Sequence, residues 1–176
     1  MSSRTRSVLA FAAIVLAFLC AAGSSELEGE QAVREMVGGA AVAVHLKISE
    51  GQRCANPEAW QWGSEQVCPR KIAAALVVQW GSQRVFVPVS AYADLAGVRS
   101  VSIAPTPNGF SVHLDGGDAA TSYRAALNFE GDPGKGDVAL RSREVRSVAF
   151  QNEVWETTQY HNHASLGDAE PPIRNP

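Results

Sequence analysis

The chain has 176 residues, 15 Lys plus Arg against 18 Asp plus Glu, and a formal charge of −3 with neutral histidines. Basic residues scattered along a mildly acidic chain supply no stripe to follow nucleic-acid phosphates, so nucleic acid is excluded as a partner. Arg141, Arg143 and Arg146 come nearest to a basic patch, and interleaved with Glu144 they read as a solvated strand face.

The first 23 residues read as a secretory signal peptide. Arg4 and Arg6 precede the uncharged run "SVLAFAAIVLAFLCAAG", and the small residues Ala21 to Gly23 close it. The apolar stretch is shorter than the roughly 18 to 20 residues a spanning helix needs, and no basic stop-transfer cluster follows. Cleavage near Ser24 is therefore expected, with the mature protein periplasmic or secreted and without a stable membrane anchor. The remaining 150 or so residues suit one domain with one core.

Residues 24–39 form an N-terminal segment. Ser25 and Glu28 have capping-box spacing, Leu27, Val33, Met36 and Val37 offer an apolar side, and a short helix stopped by Gly38-Gly39 is expected. From Ala40 to Tyr160 the texture is of short β-type runs divided by turn residues. That pattern predicts a mainly β domain, an antiparallel sandwich or barrel of about seven to eight short strands with one or two short helices. The run "AVAVHLKI" alternates Val42, Val44, Leu46 and Ile48 against His45 and Lys47, as a half-buried strand does.

Cys54 and Cys68 remain once Cys20 leaves with the leader, and an even pair in an exported chain predicts a disulfide. It would close a loop of about 15 residues, worth roughly 3 kcal/mol at best. That loop, 54–68, carries Trp60 and Trp62 two apart among Asn56-Pro57 and Gly63-Ser64. The tryptophans either fold back onto the core or stand as rigid recognition anchors. No C-x-x-C pair or nearby histidine supports zinc.

Beyond the loop, "AALVVQW" and "QRVFVPV" are separated by Gly81-Ser82, which predicts a type II′ hairpin, and Pro88 requires the second strand to lie at an edge or to end there. Ser90 is placed to cap a helical turn over "AYADLA", stopped by Gly97. Next, "VRSVSIA" and "FSVHLD" flank "PTPNG". Asn108-Gly109 is expected to supply positive backbone dihedrals there, with Pro105 and Pro107 lengthening the loop. In "LDGGDAATSYRAALNFEG" the alternation of Phe110, Val112 and Leu114 resumes at Thr121, so Gly116-Gly117 marks a hairpin between two neighbouring strands. Alternation slips between Leu140 and Val145, as a β-bulge would make it do. The run "EVWETTQY" makes a last strand, and the polar, proline-rich residues 161–176 form a flexible tail.

Candidate chemistry is sparse. Asp115 and Asp118 flank the Gly-Gly turn without the third carboxylate of a calcium loop, and with Trp60 and Trp62 they are the candidate binding residues. His113, Asp115 and Ser122 allow a hydrolytic triad to be imagined, although Ser122 lacks the strand-turn-helix setting that exposes a nucleophile. "GDPGKGD" lacks the spacing of a phosphate-binding loop. His161 and His163 have metal-like spacing in a tail that cannot hold further ligands in place, and neither metal nor cofactor is expected. The reading leans against catalysis. It expects an exported, non-catalytic β-domain that binds another protein of the cell envelope or outside it, one form being an inhibitor or immunity-type partner of a secreted enzyme; the alternative is a secreted hydrolase using His113, Asp115 and Ser122.

Overall fold

The structure, a computed structural model, describes residues 27–51, 62–64, 69 and 71–161. Residues 1–26, read above as holding a signal peptide, together with Cys54, Trp60, Cys68 and residues 162–176, lie outside the described residues, and with them the disulfide expectation.

Nine strands form among the described residues: β1 Gly29–Val37, β2 Ala40–Glu50, β3 Lys71–Trp80, β4 Gln83–Val85, β5 Val98–Thr106, β6 Gly109–Gly116, β7 Tyr123–Asp132, β8 Asp137–Ser147 and β9 Val154–Gln159. Within each sheet every strand pairs antiparallel with its neighbours in sequence, giving one four-stranded sheet ordered β1-β2-β3-β4 and one five-stranded sheet ordered β5-β6-β7-β8-β9. The mainly β, antiparallel expectation holds, and of its two forms the architecture is sandwich-like, not a closed barrel. Alternation builds the core: Val42, Val44, Leu46 and Ile48 of β2 and Val78 and Trp80 of β3 are buried, as are Phe110, Val112 and Leu114 of β6 and Ala125, Leu127 and Phe129 of β7. Phe110 carries the contact between sheets, stacked on Phe129 at 4.9 Å and meeting Trp80 edge-on at 5.1 Å.

The N-terminal helix is overturned. Residues 29–37 are strand β1, in register with β2 from Gly29↔Ile48 to Val37↔Ala40. Gly38 and Gly39, with φ of 58° and 83°, are the two central residues of a hairpin turn and not a helix stop. A short isolated helix is marginal in water, whereas the turn delivers this segment to a ready edge of β2, so ladder hydrogen bonds override the helical pattern.

The capped helix at Ser90 is also corrected. Only a 3₁₀ turn forms, Val89–Ala91, with Pro88 at its N-cap. The chain then bends so that Leu95 bridges Trp62 and Ala96 bridges Ile72, before Gly97 turns it at φ 57°. At "PTPNG" the hairpin is tighter than expected: Thr106 pairs directly with Gly109, and Pro105 lies within β5. Gly109 has no positive φ; a Cβ there would stand 2.1 Å from the Phe129 carbonyl oxygen, so its service is close approach. Three further local expectations hold. Gly81-Ser82 joins Trp80 to Gln83, β4 ends before Pro88, and the bulge of β8 falls between Leu140 and Ser142.

Candidate functional site

Three connections meet at one end of the sandwich. The β6–β7 loop carries the Gly-Gly turn: Gly116 pairs with Tyr123, Gly117 adopts φ 75°, and a 3₁₀ turn over Ala119–Thr121 is closed by Asp118 and Thr121, each side chain binding the other's backbone end. The β2–β3 loop arrives through Trp62 and Gly63. A Cβ on Gly63 would lie 3.0 Å from the Gly117 Cα and 2.5 Å from the Tyr123 ring, so the two backbones touch. The β8–β9 turn closes the group, the Val148 amide donating to the Ser122 carbonyl at 2.9 Å.

That last turn is unusual in its chemistry. The Glu153 amide donates to the Phe150 carbonyl, and both central residues are left-handed, Gln151 at φ 53° and Asn152 at φ 61°. This is a type I′ arrangement, which favours Asn-Gly and has no reason to take Gln at its first central position. With Ala119 at φ 42°, these are the three non-glycine residues of positive φ among the described residues, and all sit at this end. Beside them Phe150 is 53% exposed and Val148 47%, large apolar groups on a turn that solvent alone would not select.

An aromatic series runs inward from this surface. Phe150 tilts against Trp155 at 5.9 Å, and Trp155 stacks on Trp62 at 5.4 Å. Trp62 is 8% exposed, and its backbone is bonded to Asp94 and Ala96. Of the two alternatives for Trp62, it takes the packed one.

Beneath Trp62 lies a polar cluster. Arg143, 2% exposed, points to the core side of β8 and donates to the Ser90 carbonyl at 2.9 Å and the Asp94 carboxylate at 2.7 Å, with Glu156 of β9 at 3.9 Å. The Trp62 indole N–H and the Thr158 hydroxyl donate to Glu156. The reading of Arg143 as solvated is therefore corrected: an arginine in the inward row is sustainable because two carboxylates and a carbonyl meet it. Nearby, burial pushes the Tyr160 hydroxyl above its ordinary value. These contacts tie β9 and the connection between the sheets to β8.

Asp115 and Asp118 lie at the same end, on the side of β5. Asp115 accepts two bonds from Arg124, at 2.6 and 3.2 Å, and one from Ser100, while Asp118 pairs with Arg99 at 3.2 Å. The Asp115 carboxylate in turn holds Arg124 above its ordinary value. His113, half-buried on the outer face, is held below its usual range by burial first and then by the Arg124 charge.

The imagined triad is not assembled. His113 stands opposite Ala126, four residues along β7 from Ser122, a separation of about 13 Å at strand rise. The Ser122 hydroxyl instead donates to the Ala119 carbonyl at 2.7 Å. Among the described residues no three His, Cys, Asp or Glu side chains converge to hold a metal.

Sequence reasoning located two of the three loops and missed the third. A signal was present in "SVAFQN": Val148 and Phe150 are large apolar residues in a turn otherwise made of small and polar groups. Asp94 and Glu156 had no such signal, because their convergence on Arg143 joins segments about 50 and 13 residues apart that only the fold brings together. No family model matches this chain, and neither the curated proteins nor the solved structures contain a match to it.

Proposed function

We propose that this is an exported, non-catalytic binding protein of the cell envelope or extracellular space, an inhibitor or immunity-type partner of a secreted enzyme being one concrete form. One observation carries the reading. Three connections join backbone to backbone at one end of the sandwich, and there the chain accepts left-handed Ala119, Gln151 and Asn152 and exposes Val148 and Phe150. Non-glycine residues in the left-handed region cost of order 1–2 kcal/mol each, and such strain is concentrated where a surface must hold one shape. Loops fixed on a rigid scaffold are the usual carriers of recognition. The Trp62–Trp155–Phe150 series adds rigidity, since an exposed aromatic backed by the half-buried Trp155 and the buried Trp62 loses little freedom on binding.

The test is capture on the immobilised full mature chain from envelope and secreted fractions, with Phe150→Asp beside it. A protein retained by the parent should be lost about tenfold or more with Phe150→Asp, the loss expected of a central aromatic anchor. Equal retention by both, or none by either, overturns the rim. Mass spectrometry of exported material should find a chain beginning near Ser24; a retained Met1 overturns the export reading. Hydrolysis by the parent that vanishes with Ser122→Ala overturns its non-catalytic part.

A further inference from the structure

The two sheets of a sandwich have four edges, and three of these are protected in recognisable ways. β4 is three residues long and is followed by Pro88. β5 contains Pro105, and its Val98 carbonyl already accepts the amide of Leu27. β1 carries Glu30, Arg34 and Glu35 in nine residues. Charge, proline and shortness are the devices that keep an edge from pairing with another chain. β9 is six residues long and bulged at Trp155, but it contains no proline and presents no charge outward. Its one charged residue, Glu156, faces inward to Trp62 and Arg143, and Val154, Thr157 and Gln159 are exposed.

The direction of its free hydrogen-bonding groups follows from the ladder. The Tyr160 amide donates to the Arg141 carbonyl, so 141 and 160 are a hydrogen-bonded pair. Hydrogen-bonded and non-hydrogen-bonded pairs alternate in an antiparallel ladder. Arg143↔Thr158 is then of the first kind, while Ser142↔Gln159 and Glu144↔Thr157 are of the second. The N–H and C=O groups of Thr157 and Gln159 therefore point away from β8, along an edge that no other strand among the described residues pairs.

The apolar groups beside this edge lie at both of its ends. Six large hydrophobic residues are exposed among the described residues, and five of them, Phe86, Val89, Val148, Phe150 and Val154, occupy segments 86–89 and 148–154. Segment 148–154 leads into the start of β9. Segment 86–89 runs to Ser90, whose carbonyl is held by Arg143 opposite Thr158, so it lies by the later half of β9. A strand with apolar groups at both ends suits an antiparallel copy of itself, since the start of one strand then meets the end of the other.

We propose that two copies of this chain join β9 to β9 across a two-fold axis, continuing the five-stranded sheet into one of ten strands. A two-fold axis through Thr157 sets outward-facing Thr157 against its own copy, a favourable cross-strand pair. It also sets Glu156 against Thr158, within the regular part of the strand between the bulge at Trp155 and Gln159. Moving the axis by one residue to Glu156 would oppose two like charges. The second copy is thus selected by backbone direction, apolar placement and charge together.

Light scattering on the full mature chain over a dilution series should give twice the single-chain mass at high concentration. Thr157→Pro removes an outward amide and no bond to β8, so it should leave the melt near that of the parent and give monomers. Thr157→Lys and Thr157→Glu, each opposing its own charge across the axis, should each weaken the dimer roughly tenfold or more, and an equimolar mixture should restore it. If Thr157→Pro fails to fold, the charged pair carries the test. A parent monomeric at every concentration, or a dimer indifferent to Thr157→Lys, overturns the edge; charged variants that dissociate without rescue in the mixture overturn the axis at Thr157. Val148 and Phe150 form the loop rim and also flank this edge, but Thr157 belongs to the edge alone, so the Thr157 variants test the dimer with the residues of the rim unchanged.

Discussion

The β6–β7 loop and the β8–β9 turn lie side by side at the same end of the sandwich, and they solve the same problem with opposite residues. Each must reverse a strand with part of its backbone in the left-handed region. The first gives Gly117, with Ala119 after it, to that region; the second uses Gln151 and Asn152 and no glycine. The glycines of the first also answer a crowding demand. A Cβ at Gly116 would stand 2.5 Å from the Tyr123 hydroxyl, and one at Gly117 would stand 2.3 Å from the Thr121 carbonyl oxygen. The second turn faces solvent, and its left-handed residues have room for side chains. Turn chemistry optimised for stability is easy to see in a sequence, whereas a turn kept for its surface is not, because it departs from the residues that mark turns.

The largest difference between the two turns is expected at the glycines. Gly116→Ala with Gly117→Ala should destabilise the domain by about 3 kcal/mol or more, adding a left-handed penalty to a clash with backbone that cannot yield. Denaturant titration of the purified protein measures it. An unchanged midpoint would remove the crowding argument and make the two turns alike.

The converse substitution sharpens it. Gln151→Asn with Asn152→Gly installs the preferred type I′ pair and should raise stability by about 1 kcal/mol. If partner capture falls as stability rises, the strained turn is held for recognition. If stability does not rise, Gln151 and Asn152 are not under strain, and the case for the rim weakens with it.

The smallest effects belong to the dispersed triad. Ser122→Ala and His113→Gln at pH 7 should each stay within about 0.5 kcal/mol, the usual range for substitutions outside a core. His113 adds a pH dependence of definite sign. Its folded pKa lies below the unfolded value of about 6.5, so the unfolded chain takes up the proton first as pH falls. Stability should therefore decline as pH drops below about 6.5 and stop declining from this source once the folded group titrates. The difference between parent and His113→Gln melts isolates it, and parallel profiles from pH 7 to 5 would show that the group is not desolvated.

Much of the fold was legible because its elements are local. Period-two alternation over β2, β6 and β7 needs no partner to be recognised, and Gly81-Ser82 sets a hairpin by its own dihedrals. β1 was misread for a reason of the same kind. Its apolar residues satisfy a helical spacing as well as a strand, and the Gly38-Gly39 pair that decides between them serves equally as a helix stop and a hairpin turn. Of the site, the Gly-Gly loop was legible and the Phe150 turn was not. The tryptophan loop was recognised, yet the choice between surface and core for Trp62 depended on Asp94, Ala96 and Trp155, three residues remote in sequence.

By itself, then, the sequence determined the class of the molecule: an antiparallel β domain, where its main turns fall, and which face of most strands is apolar. These follow from steric limits on each residue and from the two-residue repeat of a strand, both of which act over a few bonds. Only the tertiary structure decided that Arg143 is buried, that His113 and Ser122 stay apart, and that Gly63, Gly117 and Val148 bring three loops to one rim. Those outcomes depend on which sheet each strand joins and in what register. Register is a property of pairs of strands, and no single stretch of chain carries it.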